Sequence, residues 1–533
     1  MALESSPATK LPKSTTEVSW LCVLCSAWFA AFFVYFSYIP LWHTDIWGHV
    51  AYGQWMLDHG RLPDVDPFVE LAQSTPVVAT AWLSQLLFGI LERSGGPERL
   101  SCAYAVISIS IYLIVAVLHQ MRTQRAGFAV GCSVLTWLIG WNRHLVIRPE
   151  LLGLLFFVTL LALLSSAGLI GFDRLTAVPS PPARSAVHRW IVRGTVALLF
   201  VLWANLHGSF AVGLVVLGIL TAGCFAEEFW RDRSFLRLRT QDAIREPLVL
   251  LLIALAATLV NPYGIWLPVY VARFGSHPNM TTISEWQPPG ILSVTGMAVA
   301  VGTALFLITL PFRQQRVRVS EWILLLVFTI AVCFRERMVS WYAPVAVLAL
   351  APGLFRLWVK FDASTYMTRL QKILNQQSRI QTALVVLFVW LAFSFSPISQ
   401  PILGGRQRPP GQLFRNQTPL GITIHLKQSA PTGRIANPQW WGDWLAWAGP
   451  PGLKVMMTTN SLHLVPARHF DNYTAISWAH VGLDKRLDEY EVQRIVVDTA
   501  VQKELAKYIY HSPKWGIEYQ DSQGIVAIRR KPD

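Results

Sequence analysis

Apolar runs of helical length recur along most of the chain, separated by short polar segments. We place eleven of them at 19–41, 100–120, 126–141, 149–170, 190–206, 209–226, 247–266, 291–311, 317–334, 341–358 and 382–399. About 20 apolar residues suffice to cross the hydrocarbon core of a bilayer as a helix. Two of these runs, 126–141 and 317–334, are short for that task. The first run is longer than a signal-peptide core and lacks a small-residue cleavage pattern, so it is read as a retained span. The pattern changes twice. Between Trp42 and Arg99 it becomes amphipathic: 46–59 has helical spacing through Trp47, Val50, Tyr52 and Trp55, stopped by Gly60. Residues 62–68 form a turn-rich link, and 79–93 predicts a second helix with Trp82, Leu83, Leu86 and Leu87 on one side. Both helices are expected to lie in the membrane interface. From Gln400 onward the runs are short. Strands are expected at 454–459 and 494–498, helices at 441–447 and 501–511, and a hairpin pairing 515–520 with 524–529 around Asp521-Ser522-Gln523.

The expected fold class is therefore an α-helical polytopic membrane protein of about eleven transmembrane helices with a small C-terminal α/β domain. Its parts are a tail at 1–18, a transmembrane domain at 19–399 with a long first loop at 42–99, and a soluble domain at 400–533.

Composition agrees. The 533 residues are 53% hydrophobic and 14% charged, with a mean hydropathy of +0.40, against about 25% charged in soluble domains. The net charge of +14 is read as cytoplasmic loop charge. No basic-aromatic cluster in a soluble segment supports nucleic-acid binding. With the N-terminal tail and its Lys10 and Lys13 inside, Lys and Arg alternate between rich inner and poor outer loops. The inner set includes Arg122, Arg125, Arg174, Arg184, Arg231, Arg237, Arg313, Arg318, Lys360 and Lys372. That bias predicts a multi-pass protein of the inner (plasma) membrane with a cytoplasmic N-terminus, an inner linker at Pro179 to Pro182, and a periplasmic C-terminal domain. The six cysteines, Cys22, Cys25, Cys102, Cys132, Cys224 and Cys333, fall in or beside the spans. No disulfide framework is expected in the C-terminal domain, and Cys22 and Cys25 read as packing residues.

The candidate chemistry gathers at the outer ends of the spans. Trp42-His43-Thr44-Asp45-Ile46-Trp47-Gly48-His49 sets a carboxylate a few residues beyond the first span, a depth suited to lipid-linked substrates. Asp45 is the candidate catalytic base, with an N-cap for the helix starting at Ile46 as its ordinary alternative. The two short spans end in Arg143 with Arg148 and in Arg335 with Arg337. Arginines there either snorkel or line a cationic pocket at headgroup level. Arg148, Arg335 and Arg337 are the candidate phosphate ligands, because guanidinium offers planar two-point binding. His207, Glu285, Asp66 and His49 are secondary pocket candidates, Asp66 doubling as a turn stabiliser beside Asp64. A divalent cation is compatible with His43, Asp45 and His49, although their spacing matches no zinc signature. The run Trp440-Trp441-Gly442-Asp443-Trp444-Leu445-Ala446-Trp447 can stack sugars or dock the soluble domain on the first loop, with docking preferred. Sequons stand at Asn279, Asn416 and Asn472.

Several of these segments carry a resemblance. Asp45-Ile46-Trp47-Gly48-His49, Gly53 to Gly60, Pro63 to Phe68, Arg148-Pro149-Glu150-Leu151, Ala204 to Gly208, Asn261-Pro262-Tyr263-Gly264, Glu285 to Pro288 and Gly442-Asp443 together resemble membrane glycosyltransferases of the GT-C fold. These are related to the protein mannosyltransferases, oligosaccharyltransferases and aminoarabinose transferases. The resemblance covers most of the chain and implies a sugar donor linked to a polyprenyl phosphate, transfer at the outer leaflet, and an acid on the first outer loop. Elementary chemistry agrees: an acceptor must lose a proton as it attacks the anomeric carbon, and the departing phosphate needs positive charge. A single-displacement, inverting transfer needs one acid. The partners expected are that donor, an acceptor (lipid, glycan or protein) and membrane lipids. The competing readings are a polysaccharide polymerase or ligase with a similar donor, a lipid or solute transporter, and a sensor whose outer domain is the working part. A transporter usually carries mid-span charges, which this sequence nearly lacks.

Overall fold

The computed structural model describes residues 18–141, 143, 147–170, 186–232, 242–313, 317–362 and 377–530. The tail with Lys10 and Lys13, the Pro179 to Pro182 linker and several of the arginines expected in inner loops lie outside these residues.

Fourteen helices precede the C-terminal domain in the described residues: α1 Trp20–Tyr38, α2 Ile46–His59, α3 Trp82–Gly95, α4 Pro97–Thr123, α5 Ala126–Ile139, α6 Pro149–Ser166, α7 Ala186–Leu206, α8 Phe210–Asp232, α9 Asp242–Ala257, α10 Trp266–Phe274, α11 Val294–Thr309, α12 Val319–Phe334, α13 Val339–Asp362 and α14 Arg379–Ser394. Eleven of them occupy the eleven expected runs. Seven (α1, α4, α6, α7, α8, α11 and α13, some with flanking turns) are long and apolar enough to cross a membrane. α14 makes an eighth if it is counted together with Pro397–Leu403, beyond a 78° bend. α5 and α12 are shorter apolar helices, in line with their short runs. α9 ends well before its expected limit of 266. The Asn261 side chain closes a turn there, accepting from the Tyr263 N–H at 2.7 Å and donating to the carbonyls of Thr258 and Gly264. Gly264 takes φ +55°, a conformation that suits glycine.

α13 is the central helix, with Val345 to Ala351 all buried. The peripheral helices turn Leu198, Leu252, Leu326 and Val389 outward, the apolar exposure that hydrocarbon tolerates and water does not. The ends of the bundle are fixed by two pairings. Val18–Ser19 pairs antiparallel with Gln377–Ser378, so α1 and α14 start at one end. At the opposite end the Leu41 N–H donates to Leu413 O at 2.8 Å and the Arg415 N–H to Leu41 O at 3.0 Å. The first loop and the C-terminal domain therefore share that second end.

In the first loop, α2 begins and ends as the spacing predicts. Gly60, at φ +65°, donates its N–H to Met56 O at 2.9 Å. The expectation that α2 lies in a lipid interface is replaced by a protein-covered helix. Ile46, Trp47, Val50, Ala51, Tyr52 and Met56 are all buried, with α3 on one side and the helix Gln439–Ala448 on another. α2 and α3 cross at glycines: a Cβ on Gly89 would lie 2.7 Å from the Gly53 carbonyl carbon. α3 still exposes Leu87 and Ile90.

The C-terminal domain is a small α/β layer. Two strands, Val18–Ser19 (β1) and Gln377–Ser378 (β2), precede its four-stranded sheet of β3 Arg434–Ala436, β4 Val492–Asp498, β5 Trp515–Gln520 and β6 Gly524–Arg529, in the order β3-β4-β6-β5. β3 runs parallel to β4, and the other pairs are antiparallel, with Val496 opposite Val526 and Ile517 opposite Ala527. The hairpin falls where the alternation places it. The expected strand at 454–459 is absent. Only Val455 bridges, to Val69 and to Ile435, because the Asn437 side chain takes the Met456 N–H at 2.9 Å in place of a ladder.

Candidate active site

Asp45 stands where the chain leaves α1 and enters α2, at φ +33° and ψ −60°, a conformation that a non-glycine residue rarely adopts. Its side chain makes no cap hydrogen bond to α2, so the N-cap alternative fails. The carboxylate turns away from the helix instead. Its Oδ2 lies 2.8 Å from Arg148 Nε, and its Oδ1 accepts from the Thr459 hydroxyl at 2.8 Å.

Arg148 owes its placement to Pro149. A residue before proline is pushed to extended backbone, and Arg148 has φ −149° and ψ 159° at the start of α6. A terminal nitrogen of the same guanidinium donates to Glu285 at 2.7 Å. Glu285 pairs with Arg143 as well and lies 3.6 Å from Arg337. Glu150 bridges Arg143 and Arg337 at 3.2 and 3.1 Å. Three arginines and three carboxylates thus form one continuous lattice, fed by the ends of both short helices, by the start of α6 and by the 278–286 segment. Burial pushes the Glu285 carboxyl up, but Arg148, Arg143 and Arg337 more than reverse this and hold it well below the usual carboxylate range. Arg335 stands beside the lattice. It donates to Trp286 O at 2.7 Å and lies 5.3 Å from the Trp286 ring centre, with Arg337 4.5 Å from the same ring. Among the described residues no carboxylate lies within ion-pair distance of Arg335.

The secondary candidates divide. His207 is drawn in: its Nδ1 lies 2.8 Å from Ser209 Oγ. Burial lowers its pKa to about 4, Glu150 opposing and Arg337 assisting, so it is neutral. His49 sits one helical turn beyond Asp45 with its Nδ1 3.3 Å from Gln85 Nε2. Burial lowers it to about 4 as well, against the pull of Asp45. Asp66 serves a different place. It accepts from Tyr52 Oη at 2.6 Å and from the Phe68 and Val69 N–H groups at 2.8 and 2.9 Å, the turn-stabilising alternative. Among the described residues no group of three or more His, Cys, Asp or Glu side chains is arranged to hold a metal ion, so the combination of His43, Asp45 and His49 gains no support.

Sequence reasoning named Arg143 only among the arginines ending the short spans and Glu150 only within the Arg148-Pro149-Glu150-Leu151 segment, and assigned neither a role of its own in the site. It missed Thr459 and Asn460 altogether. The C-terminal domain closes over Asp45 through them: Asn460 Nδ2 donates to Asp45 O at 3.0 Å and to Asp443 Oδ1 at 2.8 Å. Asp443, fully buried, also accepts from the Thr459 N–H at 2.9 Å and touches the Thr459 hydroxyl. The tryptophan run docks the domain, as preferred. Trp47 stacks on Trp447 at 4.1 Å and meets Trp444 edge-on at 5.1 Å, while Trp440 Nε1 donates to Asp498 at 2.9 Å. Asn279, in one of the sequons, is buried and donates to the carbonyls of Leu462 and Val465.

Solved structures share this architecture. The Archaeoglobus fulgidus oligosaccharyltransferase, tethered to an acceptor peptide containing the NVT sequon, superposes with TM-score 0.54 at 13% identity over 96% of this chain and 74% of that one. The AglB oligosaccharyltransferase of the same organism, in complex with an inhibitory peptide and a dolichol-phosphate, gives 0.55 at 13% identity over the same shares. ArnT from Cupriavidus metallidurans in the apo state gives 0.50 at 13% identity over 95% of this chain and 96% of that one. The chain has the GT-C fold. No protein-family model and no curated protein sequence matches it, so the likeness is one of architecture. Within the GT-C fold, the chain sets its acid and its arginines together at one end of the bundle, under the C-terminal domain.

Proposed function

We propose that this chain is an integral membrane glycosyltransferase. It transfers a sugar from a polyprenyl-phosphate-linked donor to an acceptor at the outer face of the membrane, with inversion at the anomeric carbon. The observation that carries the reading is the juxtaposition of Asp45 with Arg148 at the edge of a multi-arginine lattice, in a fold shared with an oligosaccharyltransferase solved with dolichol-phosphate. Asp45 takes the acceptor proton as the new glycosidic bond forms. Oδ1 and Oδ2 each keep a lone pair beyond the contacts to Thr459 and Arg148. The C–O bond to phosphate breaks in the same step, and the electron pair stays on the lipid phosphate. Arg335, with Arg148 and Arg337, receives that charge. α5 has 14 residues and rises about 21 Å at about 1.5 Å per residue, less than the roughly 30 Å of hydrocarbon. A helix this short favours arginines at the depth where a lipid phosphate resides. Glu285, His207 and His49 shape the pocket, and the C-terminal domain at 400–533 braces the loop bearing Asp45. A polymerase or ligase with the same type of donor would use the same groups, whereas transport through the bundle gains no support from charges gathered at one end.

The test is binding of a polyprenyl phosphate to the full chain in nanodiscs, with the corresponding polyprenol lacking phosphate as control. The phosphate should bind at least tenfold more tightly. Arg335→Ala should remove about one charge-assisted contact, about 1.5–3 kcal/mol or roughly 10- to 150-fold in affinity, with the fold intact. Equal binding of the two lipids, or an unaltered affinity in Arg335→Ala, would count against the phosphate assignment.

A further inference from the structure

Three oxygen atoms meet where the C-terminal domain touches Asp45: Asp45 Oδ1, Thr459 Oγ1 and Asp443 Oδ2. The threonine hydroxyl carries one proton and can donate to only one of the two carboxyl groups. The other carboxyl oxygen must bring its own proton, or it would sit as an anion against a lone pair. Which of the two is protonated follows from their surroundings. Asp45 has the Arg148 guanidinium at 2.8 Å. Asp443 is fully buried, and among the described residues no cation lies within ion-pair distance of it. The groups facing it are Asp45 before α2, Tyr52 on α2, and Thr459 and Asn460 on the loop after Val455.

We propose that Asp443 is the protonated partner of Asp45, a positioning residue that donates to Thr459 so that the Thr459 hydroxyl in turn donates to Asp45. The pair carries one negative charge, and it rests on Asp45 beside Arg148. A neutral carboxylic acid satisfies every contact at this point. Its O–H donates to Thr459 Oγ1, the same Oδ2 accepts the Thr459 N–H at 2.9 Å, and Oδ1 accepts from Asn460 at 2.8 Å. An amide cannot do so. In one orientation its NH2 faces the Thr459 N–H, and in the other it faces Asn460 Nδ2, which is held by Asp45 O. Electrostatics agree: burial pushes the Asp443 carboxyl up to about 7, Asp45 adds to the rise, and the hydrogen bonds from Thr459 and Asn460 oppose it. The inference rests on the transferase reading for its catalytic consequence. When pH rises past the Asp443 ionisation, a second charge is buried against Asp45, the Thr459 proton turns toward Asp443, and transfer declines.

Infrared difference spectroscopy of the full chain in nanodiscs, between about pH 5 and about pH 9, tests the proton directly and needs no substrate. The wild type should show a protonated-carboxyl carbonyl band that shifts in D2O and disappears at the higher pH. Asp443→Asn should remove that band, Thr459→Ser should keep it, and Thr459→Val should move its midpoint. If Asp443→Asn does not fold, carbon-13 labelling of aspartate carboxyls in the wild type assigns the band to aspartate, and the Thr459 variants locate it. A spectrum with no titrating aspartic acid band, or one indifferent to both Asp443 and Thr459, overturns the proposal. The band with its expected dependence in a chain that proves inactive as a transferase would uphold the shared proton and remove only its catalytic consequence.

Discussion

Gly48→Ala is a sensitive probe of the join between the acid-bearing loop and the C-terminal domain. In an ordinary helix interior this change stabilises by about 1 kcal/mol. Here the sign should reverse. A Cβ on Gly48 would overlap Asn460 Nδ2 and Asp443 Oδ1 and lie 3.0 Å from the Asp443 carboxyl carbon. These atoms are the far ends of side chains, but both are held. Asn460 is tied to Asp45 O and to Asp443, and Asp443 to Thr459. Overpacking of a close-packed site costs about 1–3 kcal/mol, and loss of two hydrogen bonds adds about 1 kcal/mol each. Against the helix gain, the docking should weaken by about 2–4 kcal/mol. Hydrogen exchange of the full chain in detergent reads this locally. The Thr459 amide, bonded to Asp443, should exchange roughly 30-fold faster or more, since about 1.4 kcal/mol is a factor of ten. Amides in β4 and β6 should change far less. Unchanged exchange at Thr459 with undiminished thermal stability would show that the loop does not close on Asp45 as described.

Two further variants test separate parts of the account. Glu285→Gln should lower stability near neutral pH. The native pKa of Glu285 is depressed, so its pairing contributes above the ordinary glutamate pKa of about 4.3 and is lost as pH falls from there toward the native value. Thermal melts across that acid window should therefore converge for the variant and the wild type, and a constant gap between them would contradict the lattice. Trp47→Ala removes a fully buried side chain that stacks on Trp447. It should cost about 3–5 kcal/mol and release the C-terminal domain to limited proteolysis at lower temperature; a wild-type proteolysis profile would refute the docking role.

The readability of the sequence followed local signals. α2 and the final hairpin were legible because each is punctuated by its own residues, Gly60 for one and Asp521-Ser522-Gln523 for the other. The arginines at the ends of α5 and α12 were legible because charge beside an apolar run is conspicuous. Strand 454–459 misled, since its short apolar run is real but Asn437, 19 positions before Met456, takes the N–H groups of Met456 and Met457. Thr459 and Asn460 were invisible for a related reason: they are common polar residues that gain a role only when a loop 414 positions from Asp45 folds back over it. Asp443 showed in the tryptophan motif, but its burial and its pairing with another acid are tertiary facts. The interface placement of α2 failed because an amphipathic face does not say whether lipid or protein will cover it.

The central claim is that Asp45 removes the acceptor proton while the arginines hold the phosphate. Asp45→Asn, assayed for sugar transfer from a panel of polyprenyl-phosphate-linked monosaccharides alongside polyprenyl phosphate binding, tests it most directly. Transfer should fall by about 10²- to 10⁴-fold, the span of a general base, while binding stays within a few-fold of wild type. Transfer at the wild-type rate in that variant would contradict the account.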